Sequence, residues 1–392
     1  MSRIFALLCG FALAMAGAAL ARPDDASAKF APVATAVWQL VDDYNLDGAS
    51  VRLAGTEGEV FRTFVPGYGA STRLPLASAS KWLSAVTLAR LVEKGVLRWD
   101  SRVGDYLPEA PAATHDITLD QLFSHTSGMV AGEAACLSNR LYTLQQCARM
   151  ILDQPLVRPP GTAFGYGGNS MQVAGAMAEV ASGRSWDYLF ITEMVTPLGL
   201  TATDWTAGAF AAGYVPNPNP RIGGGARSTL DDYGRLLDMV LAGGTHQGQP
   251  FLQQDTIAWM ARDRIAGLEV VNSPAPEYGY GFGQWVEAKD VFGRTYRVSS
   301  PGAFGTTPWV DWHTGSNGVV LVDGLGWLMR DDMTQIRLLA IRLMDRVEYL
   351  QSTDPVPTRR RVDPKPQPPS SPLPSPVRPP SPVRLDGERR AH

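Results

Sequence analysis

The chain has 392 residues, 45% of them hydrophobic and 19% charged, with a formal net charge of -3. That length can bury one large core or two smaller ones, and the composition is that of a globular protein. The slightly acidic balance argues against a general nucleic-acid binder, which carries a basic excess. It says nothing of the fold.

Residues 1–21 read as an export signal. Arg3 gives a positive start, residues 4–20 are apolar and rich in Ala and Leu, and Ala19-Leu20-Ala21 offers small residues at cleavage spacing before Arg22-Pro23-Asp24. The alternative is an uncleaved anchor, because the stretch reaches the minimum spanning length of about 17 residues. Cleavage implies a periplasmic or secreted protein. Cys9 falls within the leader, so Cys136 and Cys147 remain, and two exported cysteines close in sequence suggest a disulfide, with two buried thiols as the alternative. No metal-ligand spacing surrounds them, and no metal or organic cofactor is expected.

One folded unit is expected over residues 30–350. Helical periodicity runs over residues 31–44 through Val33, Val37, Leu40 and Val41, followed by a strand pair at residues 49–53 and 60–65. A helix follows Ser78 and stops at Gly95. Residues of about 100–215 read as a mainly helical lobe broken by Pro and Gly turns. Ser228-Thr229-Leu230-Asp231 opens a further helix to about residue 242. Strands are expected at residues 280–286, 294–299, 306–310 and 318–322, and a last amphipathic helix from 333 to about 350. The fold class is α+β: an antiparallel sheet flanked by N- and C-terminal helices, with an inserted helical lobe and a cleft between the two. From residue 354 to 392 proline alternates with Ser, Val and Arg. Such a segment reads as an extended, solvated tail, with contact to an anionic envelope surface as the alternative.

The chemistry centres on Ser78-Ala79-Ser80-Lys81. Residues three apart on a helix share a face, so the Lys81 amine can sit beside the Ser78 hydroxyl. A serine attacks only when something removes its proton, and a lysine can do so. The helix N-terminus adds positive potential where negative charge develops.

The stretch of residues 76–83, with Ile117-Thr118-Leu119-Asp120-Gln121-Leu122-Phe123-Ser124-His125-Thr126-Ser127-Gly128-Met129, Pro160-Gly161-Thr162-Ala163-Phe164-Gly165-Tyr166 and Pro197-Leu198-Gly199-Leu200, resembles the serine beta-lactamase-related family. That family holds class C beta-lactamases, DD-peptidases and esterases, and the likeness covers residues 30–350. It implies that Tyr166 is a general base near Ser78 and that His125 is architectural rather than part of a triad. The family places Asn two positions after the Tyr. Here Tyr166-Gly167-Gly168-Asn169 has it one place late, so either Asn169 fills that substrate-binding role or Gly168 leaves it empty.

Family members carry Lys-Thr-Gly or His-x-Gly on a strand lining the site, where the cation holds a substrate carboxylate. Ser300-Pro301-Gly302-Ala303-Phe304-Gly305 lies on the expected strand, with Ser in place of the cation, whereas His313-Thr314-Gly315 matches the letters but falls among turn-formers. Strand count favours the first, with Ser300 and Gly302 as substrate contacts and the amides of Ser78 and Ala303 as the oxyanion hole. Arg297 would lie off the Ser300 face by strand alternation. Of Tyr278, Tyr280, Phe282, Trp285 and Trp309, one or two are expected to line the cleft. The resemblance thus implies a serine hydrolase acting through an acyl-enzyme on a small-molecule ester or amide. Esterase leads, because a cation is missing. DD-peptidase or beta-lactamase is the alternative, and a catalytically idle envelope-binding protein is a third.

Overall fold

The computed structural model describes residues 28–205 and 217–351, with side chains as far as Asp345. The expected leader, the proline-rich tail and the end of the helical lobe lie outside the described residues.

Helix α1 (Ala31–Asp43) buries Val33, Val37, Leu40 and Val41, the i, i+4, i+7, i+8 stripe of an amphipathic helix. Its partner is the last helix of the fold. Between them in the chain come β1 (Ser50–Gly55) and β2 (Gly58–Phe64), a hairpin, then α2 (Ser80–Glu93), α3 (Leu144–Leu152), α4 (Asn169–Ser182) and α5 (Leu230–Leu241). Five strands follow: β3 (Gly279–Tyr280), β4 (Trp285–Lys289), β5 (Thr295–Ser299), β6 (Gly305–Asp311) and β7 (Ser316–Asp323), before α6 (Arg330–Gln351).

These strands form one antiparallel sheet in the order β2-β1-β7-β6-β5-β4-β3. Strand β6 is buried along its whole length and β7 along all but its last residue, as central strands covered on both faces must be. Alternation then sorts their side chains. Trp309, Val320 and Val322 pack with α1 and α6, while Val310, Val319 and Leu321 join the core that contains α2, α4 and α5. The α+β architecture is therefore as the sequence implies.

Two local expectations are corrected. The strand expected at residues 280–286 is two short strands, because Gly283 at φ +79° lets the chain turn back and Gly281 N–H donates to the Gln284 carbonyl. The helix expected to open at Ser228 is capped one residue later: Thr229 Oγ1 accepts from Asp232 N–H at 3.3 Å, while Ser228 hydrogen-bonds Thr203. Inside the helical lobe, Cys136 and Cys147 form a disulfide with Cα atoms 5.4 Å apart. Closing so short a loop contributes about 3 kcal/mol in the chain-entropy account.

Candidate active site

Helix α2 is the axis of the site. It is buried on nearly every side, from Ser80 through Leu91, so its small and polar residues meet fixed partners rather than water. Ser80 Oγ accepts from Ala226 N–H, Ser84 Oγ donates to the Ile222 carbonyl, and the Tyr233 hydroxyl donates to the Ala79 carbonyl. Ser78 sits just ahead of the helix in a 3-10 turn, Ala77–Ala79, and does not cap it with its side chain. The hydroxyl is thereby left free for chemistry. Ala77 holds φ +45°, a left-handed conformation that costs an alanine about 1–2 kcal/mol. Strain of this kind next to a nucleophile persists only where surrounding contacts fix it. Here the Leu76 N–H donates to the Ala226 carbonyl, and the loop after β5 presses on the turn from the other side. A Cβ at Gly302 would lie 2.1 Å from the Leu76 carbonyl oxygen, so only glycine permits that approach.

Lys81 is 1% exposed. Its Nζ donates to Ser78 Oγ at 3.0 Å and to the Gly223 carbonyl at 2.7 Å, and it lies 4.8 Å above the centroid of the Tyr166 ring. Among the described residues it has no carboxylate partner. The Tyr166 ring stacks on Trp285 at 5.2 Å and packs against His125 at 4.8 Å. Its backbone is fixed by the short parallel pair Ala163–Gly165 with Glu269–Asn272 and by Asn272, whose Nδ2 donates to the Tyr166 carbonyl. The structure thus brings Ser78, Lys81 and Tyr166 together. The contact between Lys81 and Tyr166 is with the ring face.

His125 lies behind this trio. The helix Leu119–Phe123 is opened by a Thr118/Gln121 capping box, and the chain then turns through His125 at φ +59°. The imidazole meets Tyr280 and Ser170, not Ser78. Burial first, and the nearby Lys81 charge second, push its pKa well below the ordinary histidine range, so the ring is neutral near pH 7. Burial likewise pushes Tyr280 up.

Of the two expectations for the Asn position after Tyr166, the structure favours Gly168 leaving it empty over Asn169 filling it. Asn169 is the first residue of α4 and is turned away from the nucleophile: its Oδ1 accepts from Ala134 N–H and its Nδ2 donates to the Val130 carbonyl. Both ends of the amide are committed to holding that loop. Gly168 occupies the place nearer Lys81, and a Cβ there would fall 2.7 Å from the carboxylate of Glu133, which is paired with Arg221 at 2.9 Å. Glu133 thus fills the space a residue-168 side chain would need.

Of the two candidate segments for the Lys-Thr-Gly position, the one beside Ser78 is that at 300–305. Ser300 Oγ donates to the Ser78 carbonyl at 3.2 Å and is nearly buried, so it props the nucleophile turn rather than offering itself to substrate. Gly302 and Ala303 line the cavity that Ser78 opens into, and the Ala303 N–H has no acceptor among the described residues. The Ser78 amide belongs to the first turn before α2, where N–H groups lack intrahelical carbonyls. His313 lies instead in the β6–β7 turn against Tyr296, and Arg297 is held by buried Asp311 at 2.7 Å.

The cavity measures about 470 Å³ and runs from Ser78 and Tyr166 past Tyr278, Trp285 and Thr307 to Trp327, Met333 and Arg337. Of the aromatics weighed in the sequence, Tyr278 and Trp285 line it. Arg337 is a residue that sequence reasoning missed. Its signal was a lone cation on the apolar stripe of α6 formed by Met333, Ile336, Ala340 and Ile341.

An antiparallel sheet clasped by its terminal helices, with a Ser-x-x-Lys turn at the foot of a buried helix, defines a hydrolase fold of the beta-lactamase and esterase type. The chain belongs to the Beta-lactamase family, whose model matches residues 33–341. Penicillin-binding protein 4 of Amycolatopsis lactamdurans is 33% identical over 132 residues, covering 31% of this chain and 33% of that protein. Esterase EstB of Burkholderia gladioli is 25% identical over 266 residues, covering 54% of this chain and 66% of EstB. The matches thus span a third to two thirds of these relatives. Among solved structures, a beta-lactamase candidate from Bacteroides dorei DSM 17855 superposes with a TM-score of 0.69 at 29% identity, covering 78% of this chain and 98% of that one. EstCE1, described as a hydrolase with promiscuous acyltransferase activity, shares the fold at a TM-score of 0.67 and 20% identity, covering 82% of this chain and 99% of its own.

Proposed function

We propose that the protein hydrolyses uncharged carboxylic esters through an acyl-enzyme on Ser78. The observation that carries this reading is the 3.0 Å contact between Lys81 Nζ and Ser78 Oγ inside the cavity wall. Ser78 Oγ forms a bond to the ester carbonyl carbon while its proton passes to the Lys81–Tyr166 pair. The carbonyl electron pair moves onto oxygen, which the Ser78 and Ala303 amides stabilise, each donor being worth roughly 2.7–4 kcal/mol. Collapse breaks the bond to the leaving alkoxide, which takes the proton back. Water then repeats the sequence on the acyl-enzyme and frees the acid.

The preference for esters rests on the segment in the Lys-Thr-Gly position. The expected strand ends at Ser299, and the loop just after it supplies Ser300, whose hydroxyl is directed at the Ser78 carbonyl, where a carboxylate-binding cation would stand. The names of relatives favour a second reading, that of a DD-peptidase. One is a penicillin-binding protein, and another, 23% identical over 250 residues, is the D-alanyl-D-alanine-carboxypeptidase/endopeptidase AmpH of Escherichia coli. The Cys136–Cys147 bond and the leader-like residues 1–21 support an exported location.

The test is burst kinetics with p-nitrophenyl acetate and butyrate and with nitrocefin, on wild type and Ser78→Ala, with mass spectrometry of the peptide containing Ser78. Ser78-dependent ester turnover with little nitrocefin hydrolysis supports the esterase reading. A lasting penicillin adduct without turnover moves the peptidase reading forward. Absence of both turnover and adduct returns the idle-binder reading.

A further inference from the structure

Two arginines of α6 line the Ser78 cavity, and each is matched by a glutamate from the sheet side. Arg337 lies deep in the wall, paired with Glu287 of β4 at 2.7 Å, with side chains 3% and 2% exposed. Glu287 also accepts from Ser299 Oγ, and Arg337 Nη2 reaches the Tyr278 hydroxyl at 3.4 Å. At the mouth, half-exposed Arg330 pairs with Glu277. Resting on the ester reading above, we infer that Glu287 and Glu277 are specificity-determining residues. They cancel the only arginine charges lining the cavity among the described residues, so the site accepts uncharged substrate arms and rejects carboxylates.

The physical argument is one of charge and of donors. A buried arginine facing a ligand site would hold a carboxylate through two parallel N–H bonds. Glu287 already occupies that role and removes the net charge. A substrate carboxylate entering beside it would lose its water and meet a neutral pair with a carboxylate of its own sign, which is unfavourable in a low-dielectric wall. The Arg337 Nε has no hydrogen-bond partner among the described residues. The Arg337–Glu287 pair lines the cavity without a net charge to offer a substrate carboxylate. The cation that the β5–β6 segment lacks is thus present on α6, in masked form.

The experiment measures kcat/KM for two matched pairs. p-Nitrophenyl butyrate against p-nitrophenyl hemisuccinate places a carboxylate on the acyl arm. Methyl 4-acetoxybenzoate against 4-acetoxybenzoate places it on the leaving arm. Wild type is expected to favour the neutral member of at least one pair. Glu287→Gln should narrow that preference by about tenfold or more, because it frees the Arg337 charge to hold a substrate carboxylate. Glu277→Gln, at an exposed pair whose loss does not threaten folding, should narrow it by roughly twofold to fivefold, an effect that high salt removes. It keeps the test open should Glu287→Gln fail to fold. An unchanged preference in both pairs for every folded variant overturns the inference. Should wild type hydrolyse none of these esters, the ester reading fails on its own. Calorimetric binding of 4-phenylbutyrate against 4-phenylbutanamide then decides the mask: a gain for the acid in either variant supports it, and no gain in any folded variant overturns it.

Discussion

At the scale of single residues, the site turns on two buried bases with opposite duties. Lys81 touches Ser78 Oγ, whereas His125 hydrogen-bonds Tyr280 and Ser170 and packs on the Tyr166 ring without reaching Ser78. Lys81→Met keeps the volume of the buried side chain and removes its amine. It should lower kcat/KM for p-nitrophenyl acetate by about 10³-fold, the middle of the range for a group that moves the proton, with the circular dichroism spectrum unchanged. A loss under tenfold would mean that Lys81 does not serve Ser78. His125 leaves its trace in stability. Its folded pKa is depressed, so as pH falls below about 6.5 the unfolded chain takes up a proton that the folded chain refuses. The stability present above that pH is then lost progressively. Urea midpoints should fall between pH 7.5 and 5.0, and His125→Asn, a residue that tolerates φ +59°, should flatten the slope. Equal slopes in the two proteins would exclude this source. The Ser78–Lys81 spacing was legible in the sequence because i, i+3 is a local rule. The fate of Asn169 was not, because its amide partners are the backbone of a loop distant in the sequence.

At the scale of elements, catalysis depends on how closely the loop after β5 approaches the turn before α2. Two contacts set it, Ser300 Oγ to the Ser78 carbonyl and Gly302 against the Leu76 carbonyl, while Leu76 N–H to the Ala226 carbonyl holds the turn from the other side. The two amides read as the oxyanion hole come from these two segments, so their separation is fixed by packing rather than by a hydrogen bond between them. A methyl group at residue 302 must push the segments apart. Gly302→Ala should therefore cost about 10²–10³ in kcat, the measured range for losing one oxyanion donor. KM should change little, because the cavity walls at Trp285 and Met333 are elsewhere. Ser300→Ala should act mildly on both constants, with about 1 kcal/mol lost in stability for the missing hydrogen bond. A large rise in KM in Ser300→Ala would restore Ser300 as a substrate contact. The sequence placed this segment on the right strand edge because Gly302 and the strand spacing are local features. It could not show that Ser300 faces the nucleophile's backbone, since that depends on the pairing of β5 with β6 and on α2 beneath them.

At the scale of the whole molecule, one continuous core joins the helical lobe to the sheet. Side chains of α2 and α4 pack in the same cluster as Val298, Val310, Val319 and Leu321 of the sheet. The opposite face is closed by α1 and α6, which Tyr44 also ties through its hydrogen bond to Asp332 at 2.6 Å. This plan was legible because period-2 and period-3.6 patterns mark which faces must be covered. The double turn at Gly283 and the arginine–glutamate pairs on α6 were not, since each joins residues that only tertiary packing brings together. The continuous core carries a thermodynamic consequence. Chains of this length often unfold in stages, yet here a single apolar cluster spans lobe and sheet among the described residues, so both should unfold together. Urea curves followed by tryptophan fluorescence, to which buried Trp186 and Trp205 of the lobe and Trp285 and Trp309 of the sheet all contribute, and by ester turnover should therefore coincide. Ile336→Ala on α6, a buried truncation expected to cost about 2–5 kcal/mol, should shift both curves by the same amount, although Ile336 touches neither the lobe nor Ser78. Activity lost well before fluorescence would show that the site opens before the core that buries these tryptophans, and would overturn the single-step expectation.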